Sequence, residues 1–282
     1  MSLDIIQERL KAYDCQSKNE ELHAMKEIAQ EIALAGLART DFFKHTAFQG
    51  GTCLRICHQL QRFSEDLDFT LMKGGSFSWS HYLQQLPTEF SAYGLHLDIR
   101  DRSEAKGHIK SAFLKENSFG RVLSFKYPRT VSDSQMIRIK LEIDTNPPLG
   151  SEFESRIIPF PFSYSVVTQD LPSLFGGKCH ALLCRPYIKG RDWYDFLWFV
   201  SHGVSVNIEL LKNAVKQIGP WEGKEVAIDI SWLKNELKTR VEIIEWEKVR
   251  QEVLQFLKQR EAEQLKFWST DFFLQFVNKM TE

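Results

Sequence analysis

Apolar positions along this chain change their spacing several times, and each change predicts an element. Between residues 20 and 38, Leu22, Met25, Ile28, Ala29, Ile32, Ala33 and Leu37 recur at helical intervals and predict one helix with an apolar face. Gly50-Gly51 interrupts the pattern. Thr52 then reads as the N-cap of a short half-buried helix over Cys53–Leu60, with Leu54, Ile56, Cys57 and Leu60 inward. From Ser64 to Leu71 the period falls to two: Leu67, Phe69 and Leu71 leave one side, Asp66, Asp68 and Thr70 the other. The clearest strand is Met136–Asp144, where Ile137, Ile139, Leu141 and Ile143 alternate with Arg138, Lys140, Glu142 and Asp144 until Asn146-Pro147-Pro148 ends it. Residues 73–80 read as a loop and 81–94 as a helix ending near Gly94. Segments 95–101, 109–114 and 119–126 read as strands of a meander, and 156–168 as further extended chain.

Past residue 170 the helical period takes over. Leu171–Arg185, the aromatic run Asp192–Ser201, one or two helices over Ser231–Arg260 and a short helix near 271–279 are expected. The expected architecture is therefore an α+β half, residues 1–170, followed by a helical half, residues 171–282.

Charge and cysteine usage narrow the class. Of 282 residues, 36 are Lys or Arg and 37 Asp or Glu, a formal charge of −1 that excludes a polycationic coat protein and an acidic tail but leaves room for a local basic groove. No run of about 18 apolar residues exists, so no membrane span is expected. The start, MSLDIIQERLKAYDCQ, lacks the continuous apolar core of a secretory signal. The five cysteines, Cys15, Cys53, Cys57, Cys179 and Cys184, have no zinc-like spacing and read as reduced thiols of a cytoplasmic protein. His58, His180 and His202 suggest neither a metal cluster nor a triad.

The chemistry points to one strand. Asp66 and Asp68, at i and i+2, leave the same face with Cα atoms about 6.5–7 Å apart. Carboxylates so placed repel unless a cation sits between them, and magnesium favours such hard oxygen ligands. A third acid on a neighbouring strand would complete the site, and either Glu142 or Asp144 would serve. The Gly50-Gly51-Thr52 helix start upstream suits phosphate. Lys178, after Gly176-Gly177, stands at the entry of an expected helix, and Arg185, Lys189 and Arg191 add positive charge ahead of Asp192. Residues 100–140 carry ten cations, Arg100, Arg102, Lys106, Lys110, Lys115, Arg121, Lys126, Arg129, Arg138 and Lys140, interleaved with Phe113, Phe119, Phe125 and Tyr127. That mixture fits either nucleic-acid stacking or a solvated strand face.

Taken together, F-Q-G-G-T-C-L-R followed by R-F-S-E-D-L-D-F-T-L resembles the first motif of the AbiEii/AbiGii-type nucleotidyltransferase toxins, a glycine turn followed ten to fifteen residues later by D-x-D. Leu141-Glu142-Ile143 resembles the second motif, Lys178-Cys179-His180-Ala181-Leu182-Leu183 the third, and Lys189-Gly190-Arg191-Asp192-Trp193-Tyr194-Asp195-Phe196 the fourth. The likeness spans most of the chain, residues 28–51 and 231–260 included.

The resemblance implies a DNA-polymerase-β-like nucleotidyltransferase fold, a mixed sheet with flanking helices, and a helical C-terminal half that brings Lys178 and Asp192 to the cleft. It implies a pyrophosphate-releasing enzyme of toxin–antitoxin or phage-defence systems. On this reading Asp66, Asp68 and Glu142 hold Mg²⁺ or Mn²⁺, while Gly50, Gly51, Thr52, Lys178, Arg185, Lys189 and Arg191 hold the NTP. Asp192 is a positioning acid. An RNA acceptor, the tRNA 3′ end, is expected, with a cognate antitoxin that acts without a stable complex. The rivals are nucleotidylation of a protein side chain, γ-phosphate transfer, and a non-catalytic binding module.

Overall fold

In the computed structural model, which describes residues 2–102, 107–116, 118, 126, 127 and 137–281, the alternating segments become strands of one mixed sheet. The strands are β1 (Thr46–Gln49), β2 (Leu67–Leu71), β3 (Leu97–Asp101), β4 (Ile109–Glu116), β5 (Ile137–Asp144), β6 (Phe153–Ile158) and β7 (Tyr164–Gln169). They lie in the order β3-β4-β5-β2-β1-β7-β6. Pairing is parallel for β2 with β5 and for β1 with β7. It is antiparallel for β1 with β2, β3 with β4, and β4 with β5. By contacts the chain forms two units, Met1–Pro147 with Glu154–Thr168, and Pro148–Phe153 with Gln169–Glu282.

The helices of the first unit are α1 (Ser2–Ala12), α2 (Lys18–Ala38), α3 (Phe42–His45), α4 (Gly50–His58), α5 (Ser80–Leu83) and α6 (Leu86–Ser91). Helix α2 begins where the Ser17 side chain accepts from the Glu20 amide. It packs on β5 and α6. Its Ile28 and Ile32 are fully buried, each contributing about 2 kcal/mol of hydrophobic stabilisation. The apolar side of β2 meets an aromatic cluster in which Phe42 lies edge-on to Phe69 and stacked on Trp79.

In the second unit are α7 (Leu171–Cys184), α8 (Gly190–Ser201), α9 (Ile208–Gln217), α10 (Ile230–Glu242), α11 (Trp246–Leu254), α12 (Gln259–Ala262) and α13 (Thr270–Lys279). Asp170, Asn207, Asp229 and Ser269 cap four of them through side-chain acceptors. Their core is aromatic: Trp193, Trp246, Trp268 and Phe273 interlock, with Trp246 stacked on Phe273 at 4.0 Å between ring centroids. The described cysteines are all free. Among the described residues no helix is long and apolar enough to cross a membrane.

Several local expectations need correction. The helix expected over Cys53–Leu60 starts at Gly50, with Gln49 at its cap, so Thr52 is the third helical residue rather than the cap. Gln59, in the left-handed region, ends that helix. Lys178 does not open a helix. Helix α7 starts seven residues earlier, because Asp170 caps it and Pro172 is tolerated in its first turn. The Gly176-Gly177 pair stays helical, and at Gly176 a Cβ would come 2.9 Å from the Asn207 carbonyl oxygen, so the glycine admits a close approach. The helix expected over 81–94 splits into α5 and α6. Helices α1 and α9 and strand β1 were not foreseen. The strand expected over 119–126 falls almost wholly, and Met136 entirely, outside the described residues.

Candidate functional site

The acidic face is built by register. In the parallel β2–β5 ladder Asp68 is the partner of Glu142 and Thr70 the partner of Asp144. Partners in a ladder project to the same side, so Glu142 shares a face with Asp68, and Asp144 lies two residues further along. The Asp144 carboxylate accepts from the Asn146 amide at 2.9 Å, and burial pushes its pKa above the usual value. By position Glu142, and not Asp144, is level with Asp68. Asp66 lies just before β2 rather than on it. Its carbonyl accepts the hydroxyl of Thr52, which is fully buried. The Thr52 hydroxyl, expected on phosphate, is committed to fixing the Asp66 backbone instead.

The glycine turn is pressed against this face. Gly50 has φ +79°, and a Cβ there would meet Asp68 Oδ2 at 2.6 Å. Both the left-handed backbone and the missing side chain are therefore required. A Cβ on Gly51 would meet the Arg62 guanidinium at 2.4 Å. Arg62 is buried and donates to the Phe63 carbonyl. Sequence reading gave Arg62 no role; its only signal was its place inside the R-F-S-E-D string.

Lys140 is the second residue that sequence reading left without a place in this site. Its Nζ lies 2.7 Å from Glu142 Oε1. Burial alone would lower its pKa, but the hydrogen bond and charge of Glu142, then the charges of Asp66 and Asp68, raise it above the ordinary lysine value. Ser111 Oγ donates to the same Glu142 oxygen at 3.2 Å. Among the described residues no three His, Cys, Asp or Glu side chains are gathered closely enough to hold a metal ion as they stand. The donors fit a hard divalent cation in kind, being carboxylate oxygens on one side of the sheet with a lysine ammonium as their resident cation.

The basic segment is only partly gathered. Lys115 of β4 faces Asp98 of β3 and Arg138 of β5, on the same sheet face as Lys140 and Glu142. Arg100, also on that face, pairs with Phe113, and the Arg102 guanidinium lies 5.2 Å from the Phe113 ring centroid. Some desolvation, then the charges of Arg100 and Arg138, depress the Lys115 pKa. Lys110 belongs to the opposite face, in register with Ile143. Lys126 is tied to the Cys15 carbonyl. Lys106, Phe119, Arg121, Phe125 and Arg129 lie outside the described residues.

In the helical unit, Lys178 and Asp192 are brought together. Lys178 Nζ lies 2.7 Å from Asp192 Oδ1 and 2.8 Å from Asp195 Oδ2, and Arg185 lies 2.8 Å from Asp192 Oδ2. Burial would raise the Asp192 pKa, but Lys178 and Arg185 outweigh it and hold the carboxyl below its usual value. Asp195, fully buried, is the second acid on Lys178 and was given no role from sequence. Arg191 turns onto the Phe256 ring, with its guanidinium carbon 4.2 Å from the centroid, and lies 4.0 Å from Glu252. Burial, then Arg191, lowers the Lys189 pKa.

The sheet carries acids beside a glycine turn, and the helical unit carries a lysine–aspartate cluster. The family model described as nucleotidyl transferase AbiEii toxin, type IV toxin–antitoxin system, matches residues 32–275, and the chain belongs to that family. It is accordingly a nucleotidyltransferase toxin, and membership implies an NTP substrate and a cognate antitoxin. The fold is similar to the crystal structure of JHP933 from Helicobacter pylori, with TM-score 0.50 and 18% identity over 91% of this chain and 94% of that one. A proposed nucleotidyltransferase from H. pylori has TM-score 0.45 and 16% identity over 92% of this chain and 97% of that one. No curated protein matches the chain.

Proposed function

We propose that the chain transfers a nucleotide from an NTP to RNA, with the tRNA 3′ end as acceptor, in a divalent-metal-dependent reaction in the cytoplasm that serves phage defence. The observation that supports this most is the register that sets Asp68 beside Glu142 on a sheet face that also carries Arg138 of β5, Lys115 of β4 and Arg100 of β3. Carboxylates suit a metal and triphosphate, and the cationic strip suits a phosphate backbone.

Asp66, Asp68 and Glu142 would hold Mg²⁺ or Mn²⁺, which when bound offsets charge on the attacking and leaving oxygens. The acceptor hydroxyl oxygen bonds to the α-phosphorus, the bond from that phosphorus to the bridging oxygen breaks, and pyrophosphate leaves. Glu142 takes the hydroxyl proton. Backbone N–H groups at Gly50, Gly51 and Thr52 hold the β- and γ-phosphates. Lys178 answers the charge of the triphosphate, Arg185, Lys189 and Arg191 add to the positive field, and Asp192 positions Lys178.

The test is incubation with α-labelled NTP and total RNA, then total protein, with γ-labelled NTP as control. Label from the α position in RNA, abolished by EDTA and by Asp68→Ala or Lys178→Ala, is the expected result. Label in protein instead would point to a side-chain acceptor, and γ-label alone to a different reaction. RNA affinity that does not weaken with salt would overturn the role of the cationic strip.

A further inference from the structure

Lys140 stands where the strip of cations gives way to the acids. On β5 it follows Arg138 and precedes Glu142 at two-residue steps, so all three leave one face. Its ammonium is 2.7 Å from Glu142 Oε1, and its side chain is 36% exposed, so it can swing away without disturbing the core. The β4 partner of Lys140 is Phe113, while Ser111 holds Glu142 from the same strand. A lysine paired to a carboxylate of a metal-binding face competes with any cation that needs that carboxylate.

Resting on the reading of Asp66, Asp68 and Glu142 as metal ligands, we infer that Lys140 is a tethered counter-cation. It neutralises the acidic face before metal arrives, and metal must displace it from Glu142, so the lysine sets metal affinity. The exchange makes and breaks only ionic contacts: the metal takes the Glu142 oxygens, and the ammonium moves off to solvent. It also offsets the charge of the acids in the metal-free protein, where removing the lysine takes a positive charge from beside Glu142, Asp66 and Asp68.

The experiment measures Mn²⁺ binding by isothermal titration calorimetry to the wild type, Lys140→Met and Lys140→Arg, without NTP or RNA. Lys140→Met is expected to bind Mn²⁺ about tenfold more tightly, the size of effect that one adjacent charge exerts on a carboxylate. Lys140→Arg is expected to stay near wild type. Without metal, Lys140→Met should melt below wild type, and saturating Mn²⁺ should close that gap.

A second measurement needs no variant. The rate at which acetic anhydride acylates Lys140 in the wild type, read by peptide mass spectrometry, should rise on adding Mn²⁺. Equal affinity in Lys140→Met, or an acylation rate indifferent to Mn²⁺, would overturn the exchange while leaving the metal site standing. Absence of Mn²⁺ binding to the wild type would overturn both.

Discussion

Asp68 and Glu142 are register partners in the parallel β2–β5 ladder, whereas Asp144 is the partner of Thr70. One strand therefore offers two acids on one face, and only one of them is level with the D-x-D. Glu142→Gln is expected to lower α-label transfer at least about 100-fold, in the range for removing one preorganised electrostatic contact. Asp144→Asn should cost less than about threefold. Comparable losses in the two variants, read in the same transfer assay, would refute the assignment.

Gly50 combines φ +79° with an Asp68 oxygen where a Cβ would sit. Gly50→Ala is expected to lose about 1–2 kcal/mol of stability from the left-handed backbone alone. It should also lose most activity, because the methyl group displaces the Asp68 carboxylate. Thermal unfolding and the transfer assay read the two effects separately. An active, equally stable Gly50→Ala protein would show that the turn is not held against Asp68.

Asp195 is fully buried against Lys178, whose side chain is 12% exposed. Asp195→Ala removes one of two acids from a nearly enclosed ammonium and is expected to cost about 3 kcal/mol in urea unfolding. Asp195→Asn, which keeps the shape, should cost less. If both variants unfold at the wild-type urea concentration, the pair contributes nothing to the helical unit.

Stability should depend on pH through Glu31, whose side chain burial raises its pKa from 4.5 to about 7, with Arg9 acting in the opposite direction. The folded state then holds a proton that the unfolded chain has released. Glu31's contribution to stability therefore falls as pH rises from about 4.5 to about 7 and is flat above that, with a span of at most about 3 kcal/mol. His58, which burial and then Arg156 lower from 6.5 to about 4, acts oppositely, losing stability as pH falls between those values. Asp192, held below 3.8, acts only in more acid solution. Subtracting the Glu31→Gln melting profile from the wild-type profile isolates Glu31. A difference that stays level between pH 5 and 8 would count against the raised pKa.

What the sequence made legible was whatever has a strong period or a cap. Strand β5 alternates without a break and emerged within a residue of its expected start, and α7, α8 and α13 follow their aromatic or capped patterns. Strand β1 shows no clear period because four residues, Thr46-Ala47-Phe48-Gln49, are too few to show alternation, although their pairing with β2 and β7 places them inside the sheet. Lys140 and Asp195 escaped for a different reason. A charge in an alternating or helical pattern reads as solvated, and only the three-dimensional pairing with Glu142 or Lys178 shows otherwise. Arg62 is buried against a glycine whose missing side chain leaves no trace in the spacing.

The parallel pairing of β2 with β5 joins residues more than seventy positions apart. A parallel neighbour cannot be supplied by a local hairpin, so Asp68 gains Glu142 only after the whole intervening segment has been made. During synthesis the chain would carry its glycine turn and D-x-D for some time with no third acid beside them. On the proposed reading, any product ending before residue 142 would carry Asp66 and Asp68 without their third acid, and one ending before residue 192 would also lack Asp192, so activity would wait for the helical unit.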